Sequence, residues 1–167
     1  MIRVIIDNFG NRHNDLFLII ESPWHLKIAD SYFLYSFLEV SDEAFAQLDL
    51  SDDEVLVYAI VELLDYWIDR IKSIKQGQSK FIPFSLSDQC VEGMMLEKVK
   101  KGFKIKLVST DKLLGHDVGK SNIDKQIVEG NIVFQNSEST EWLVSEEGIF
   151  NGLEWSKREL GLRQNDA

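Results

Sequence analysis

The chain has 167 residues, 44% of them hydrophobic and 11% aromatic, with 28 Asp and Glu against 18 Lys and Arg. That length and apolar content suit one compact domain burying roughly 70% of its unfolded surface, and they exclude the composition of a disordered chain. A single cysteine, Cys90, excludes an internal disulfide and a thiolate zinc cage, and a formal net charge of −10 repels phosphate backbones and anionic lipid surfaces alike.

In chain order, Ile2 to Ile6 is a β-branched run that predicts a strand, and Asn8 to Asn14, with Gly10 and three Asn, predicts a loop. Leu16 to Glu21 is a second strand, its unbroken apolar stretch predicting burial on both faces, and Ser22-Pro23 breaks it. Leu26 to Ile28 and Tyr32 to Val40 are predicted to be extended, the latter as a central strand or an aromatic contact surface, because both of its faces are apolar or aromatic. Ser41-Asp42-Glu43 then caps a short helix to about Leu48. Ser51-Asp52-Asp53-Glu54 has the S-x-x-E pattern of a capping box before an apolar run. The helix after it is predicted to run to about Gln76, with Gly77 at its end and Leu56, Ile60, Leu63, Leu64, Trp67, Ile71 and Ile74 on one stripe.

The second half has a different texture. Lys80 to Leu86, Glu92 to Val99 and Phe103 to Ser109 read as strands, with Lys100-Lys101-Gly102 as a hairpin turn and a largely solvated face carrying Lys104 and Lys106. Leu113 to Asp124 reads as loop, Ile132 to Gln135 as a last short strand, and Glu141 to Leu160 as a C-terminal helix that Ser145 can cap. The fold class is therefore α+β, a mostly antiparallel sheet with one long amphipathic helix over about 52–76 and a C-terminal helix. The organisation is a single domain over 1–163 with a frayed tail at 164–167. The longest apolar run, Val55 to Val61, is far below the ~20 residues that span a bilayer, and a cytoplasmic location is expected.

Charge is divided along the chain. From Ile28 to Asp69 there are eleven acids and no Lys, Arg or His; from Arg70 to Lys106 there are nine basic residues against Asp88, Glu92 and Glu97. Glu62, Asp65 and Asp69 share one helical face and are flanked by Tyr58 and Tyr66. Like charges at that spacing weaken an isolated helix, so tyrosines among unpaired acids point to a protein-binding face, where aromatics anchor and charges steer. The plainer reading is a solvated face, or one paired with lysines of the second half. On the basic hairpin, Lys98, Lys100, Lys101, Lys104 and Lys106 suit either phosphate contact or protection of an exposed edge, and with only Phe103 among them nucleic acid is not the expected partner.

Motifs for catalysis are weak. Gly119-Lys120-Ser121 matches the end of a phosphate-binding loop, but Leu114 stands where that loop needs glycine. His116-Asp117 is the dipeptide of some metal-dependent phosphohydrolases, which also need further histidines from surrounding helices; here the others are His13 and His25, in strand and loop territory. Cys90 reads as a buried small residue, and Trp24, Trp67, Trp142 and Trp155 as core or interface anchors. No cofactor and no metal are expected.

In size, acidity, α+β pattern and lack of catalytic motifs, the chain resembles bacterial immunity proteins, small acidic partners that neutralise a cognate toxin, often a basic nuclease. The resemblance implies a non-enzymatic protein that binds a basic toxin domain tightly and covers or distorts its active site. The acidic block supplies the candidate partner-binding residues: Asp42, Glu43, Asp52, Asp53, Tyr58, Glu62, Asp65, Tyr66 and Asp69. Two alternatives stand beside it. One is a homo-oligomeric binding module, a possible homodimer in which the acidic helix meets the basic hairpin of a second copy. The other is a small hydrolase around His116 and Asp117. No membrane partner is expected.

Overall fold

The computed structural model describes residues 1–7, 12–41 and 51–165, with side chains described to Gly161. Two antiparallel sheets and four helices make up these residues, an α+β fold. The first sheet has the order β1 (Ile2–Ile6), β2 (Leu16–Ile20), β3 (His25–Ala29). The second is a meander of β4 (Ser79–Leu86), β5 (Val91–Val99), β6 (Gly102–Thr110) and β7 (Gln135–Val144). The helices are α1 (Leu34–Leu38), α2 (Asp52–Lys72), α3 (Ile123–Glu129) and α4 (Glu146–Asn165).

One hydrophobic cluster joins the inner faces of both sheets to α1, α2 and α4. Helix α2 contributes most to it. Leu56, Ile60, Leu63, Leu64, Trp67 and Ile71 are all buried, and at about 1.5–3 kcal/mol per buried side chain this stripe fixes the helix in place. Ser51 and Glu54 form the reciprocal capping box, and the Trp67 indole donates to the Pro83 carbonyl at 2.9 Å, tying α2 to β4. The helix ends at Lys72 rather than near Gln76; Ser73 caps it, and Ile74 stays buried in the turn that leads to β4.

The β5–β6 hairpin turns at Lys100-Lys101 with Val99 opposite Gly102, and a positive φ of 146° at Gly102 explains the glycine. Phe103, Ile105 and Leu107 point inward and Lys104 and Lys106 outward, as the alternation predicts; Val108 is also buried, beside an irregularity in the β6–β7 pairing.

Five further expectations need correction. Tyr32 to Val40 is not a strand: Leu34, Phe37 and Leu38 face the core from the short α1, and Glu39 closes it in a left-handed conformation. With apolar groups at almost every position, periods of 2 and 3.6 fit equally, and packing chose the second. The second strand is buried on one face only, since Leu16, Leu18 and Ile20 are covered while Phe17 and Ile19 are half-exposed. Ile123 and Asp124, expected to end a loop, instead open the helix Ile123–Glu129, and the last strand is Gln135–Val144, not Ile132–Gln135. The C-terminal helix accordingly begins at Glu146, where the Ser145 hydroxyl accepts from the Gly148 amide at 3.0 Å. Its backbone is helical through Asn165, so the tail at 164–167 begins inside it, with 166–167 outside the described residues.

Helix α4 covers the edge of β1. Gly152 is buried against the Ile2 carbonyl, where any Cβ would overlap the oxygen, and the fully buried Ser156 hydroxyl accepts from the Val4 amide at 2.9 Å while donating to the Gly152 carbonyl. The first sheet thus meets a helix where it would otherwise offer an unpaired edge. No helix among the described residues is long and apolar enough to cross a membrane.

Candidate partner-binding surface

The outward side of α2 is built by default: once the core stripe is buried, the 3.6 period leaves Tyr58, Glu62, Asp65 and Asp69 on the opposite side. Asp52 and Asp53 lie exposed in the first turn, where acids suit the helix dipole. Asp42 and Glu43 lie outside the described residues.

Two of the nominated residues are not available as the sequence reading expects. Asp65 is ion-paired with Lys157 of α4 at 2.5 Å, and that carboxylate, with Glu154 and Glu62 nearby, raises the Lys157 pKa. Tyr66 is turned inward. Its ring packs edge-on against Phe37 at 5.4 Å, the Arg70 guanidinium lies over it at 5.5 Å, and its hydroxyl is buried with no hydrogen-bond partner among the described residues. Burial pushes its pKa up to about 12. Tyr66 is therefore a packing residue and is withdrawn from the surface.

The rest of the acidic block divides cleanly. Asp30 accepts from the Asn14 amide at 2.6 Å and faces His13 at 3.1 Å, Glu54 closes the capping box, and Glu39 accepts from the amide and hydroxyl of Ser121. The Gly119-Lys120-Ser121 sequence thus receives a carboxylate of the same chain, with Gly119 packed against Glu39. Asp52, Asp53, Glu62 and Asp69 make no ion pair among the described residues. Asp49 lies outside them.

Of the lysines of the second half, Lys157 reaches this face, at Asp65, whereas those of the basic hairpin with an ion pair among the described residues use it elsewhere. Lys98 pairs with Glu146 at 2.5 Å, and Lys104 and Lys106 both reach Glu141, at 3.5 and 3.4 Å. Lys27 of β3 bonds Glu92 of β5 at 2.9 Å, linking the two sheets. Arg70, which begins the basic block, points away from Asp69 into the protein. It is 7% exposed, donates to the Phe81 carbonyl at 2.7 Å and forks onto Asp124. That pairing holds the Asp124 carboxyl below the usual carboxylate range.

No protein-family model, curated protein or solved structure matches the chain. What its surfaces do rests on their own chemistry.

His116 and Asp117 sit in a solvent-facing turn 3.6 Å apart, both at least half-exposed. No group of three or more His, Cys, Asp or Glu among the described residues is placed to hold a metal ion. His25 packs against Trp142, away from the others, while His13 and His116 both border the Tyr32–Phe33 pair. Cys90 is half-buried, 3.6 Å from the Ser87 hydroxyl. Trp67 and Trp142 are core residues, whereas Trp24 is 67% exposed.

The sequence reading missed Arg70, Lys157 and the Glu39–Ser121 contact. It also missed the setting of His13 and Asp30, where Tyr32, Phe33, Leu86, Ser87 and Asp88 complete a cavity of about 460 Å³. The sequence signal near it was the aromatic run that begins at Tyr32 and Phe33, which suggested an aromatic contact surface as an alternative to a strand.

Proposed function

We propose that this protein is a non-enzymatic immunity protein, acting in the cytoplasm, that binds a basic toxin domain through the outward stripe of α2. The observation that supports this most is the arrangement of Glu62 and Asp69 without ion pairs among the described residues, beside exposed Tyr58, on a helix held rigid by its capping box and core stripe. From Asp52 to Asp69 the stripe extends about 25 Å, a length suited to an interface of standard size. Carboxylates at the rim of such an interface steer encounter, and a central tyrosine supplies residence time. Asp65 contributes less than its neighbours, because Lys157 already shares its charge.

The alternatives receive weaker support. Self-association through the hairpin would rely on Lys100 and Lys101, since Lys98, Lys104 and Lys106 have acidic partners in their own chain. The same pairing leaves few lysines for phosphate. The hydrolase reading would rest on a single exposed His–Asp contact.

The test begins with the protein encoded beside this gene, expressed with and without the present chain. Rescue of growth, together with at least a ten-fold slower association for the Glu62→Lys/Asp69→Lys variant at low salt, is the expected result. A neighbour without toxicity, or a toxin bound at the same rate by that variant, overturns the reading.

A further inference from the structure

A second surface, with no residue of α2 in its lining, has a chemistry of its own. Where the chain leaves β3 and β4, Asp30, Tyr32, Phe33 and Asp88 line the 460 Å³ cavity with His13. The rings are already ordered: His13 stacks on Tyr32 at 5.9 Å with planes 8° apart, and Tyr32 meets Phe33 edge-on at 4.9 Å. Asp88 makes no ion pair among the described residues, and no Arg or Lys lines the cavity among them. Asp30 already faces His13 and accepts from the Asn14 amide, so Asp88 is the carboxylate left to a ligand, and aromatic faces beside it attract a cation that can both stack and donate a fork of hydrogen bonds.

The protein itself shows which cation satisfies that combination. Arg70 lies over the Tyr66 ring and forks onto Asp124, and Arg12 lies over Tyr35 at 4.8 Å. A guanidinium is planar and weakly hydrated, so it loses less than an ammonium when it stacks. The cavity is too open to enclose a free small molecule, since Tyr32 is 56% exposed and Asp88 is exposed as well. A side chain carried by a larger molecule suits it better. We infer that this cavity is a docking site for an arginine side chain of a protein partner.

The inference is independent of the α2 stripe and is tested without a toxin. The probe is the blocked tripeptide Gly-Arg-Gly, titrated into the isotope-labelled full chain and followed by amide chemical shifts, with Gly-Lys-Gly as comparison. Saturable shifts should centre on Tyr32, Phe33 and Asp88, with a dissociation constant on the order of millimolar. The lysine peptide should bind at least about three-fold more weakly. Tyr32→Ala and Asp88→Asn, both at exposed positions and each checked for an otherwise unchanged spectrum, should each weaken binding by about three- to ten-fold. Shifts that do not saturate, equal binding of the two peptides, insensitivity to both substitutions, or shifts centred on Glu62 and Asp69 would each overturn it.

Discussion

Arg70 and Tyr66 are four residues apart and together show how side-chain direction decides a role. Arg70 carries a charge into a nearly buried position because Phe81, Asp124 and the Tyr66 ring satisfy it from three sides. Tyr66 is left with a buried hydroxyl that finds no partner among the described residues. A buried donor without a partner costs about 1–3 kcal/mol, so Tyr66→Phe should leave the fold intact and raise its stability by up to about 1 kcal/mol in urea unfolding. The alkaline limb carries an independent readout. Burial sets the folded pKa at about 12, above the ordinary value of 10.0, so the folded state holds the proton more tightly. The stability this represents is complete below the ordinary value and is lost as pH rises through about 12. An ultraviolet titration of the native protein should therefore show one phenol ionising at about 12, and the Tyr66→Phe variant should lack that step. A loss of more than about 1 kcal/mol in the variant would mean that the hydroxyl has a partner after all.

Among the elements, α4 docks where it does because of two small residues. Gly152 lets the helix reach the Ile2 carbonyl, and Ser156 supplies the acceptor that the Val4 amide needs at an otherwise unpaired edge. Ser156→Ala removes that acceptor in a fully buried place and should cost roughly 1–3 kcal/mol, read as a lower urea midpoint with an unchanged slope. Gly152→Val should cost more, since backbone rather than a flexible side chain stands in the way; a neutral result for both would mean that α4 does not hold β1. None of this was legible in the sequence, because Ser156 and Val4 are 152 positions apart. Helix α2 was legible because its boundary pattern and its apolar period agree over five turns, and the β5–β6 hairpin because Gly102 and alternating lysines mark it. Strand β7 was hidden for the opposite reason. Its first half, Gln135 to Ser139, is exposed at an edge and polar throughout, so no face carries an apolar signal. Of the candidate surface, the positions of Glu62 and Asp69 followed from helical spacing, whereas the pairing of Asp65 and the inward turn of Tyr66 depended on α4, α1 and α3, which local sequence does not position.

Over the whole molecule, two electrostatic effects of opposite sign compete as pH falls. The net charge of −10 makes the protein repel itself at neutral pH, and protonation toward the isoelectric point near 4.7 relieves that repulsion. Against this stand carboxylates that the fold keeps ionised. Arg70 lowers Asp124, and Ser51 lowers Glu54 through its amide and hydroxyl. Burial would raise Asp30, but the Asn14 amide and His13 outweigh it. A depressed folded pKa means that the unfolded chain takes up protons first, so these groups contribute stability above the ordinary carboxylate range and lose it as pH falls through their folded values. Diffuse repulsion is screened at moderate salt, whereas a partly buried pair such as Arg70–Asp124 is screened less. Stability should therefore change little between about pH 7 and pH 5 and drop steeply below about pH 4. Arg70→Met isolates the specific part. It should lower stability at neutral pH, by removing the partners of the Phe81 carbonyl and Asp124, and lower it less in acid, where Asp124 is protonated in either protein. Urea unfolding across that range at fixed salt reads both limbs, and an Arg70→Met loss that stays constant into strong acid would show that Asp124 contributes nothing to the pH dependence.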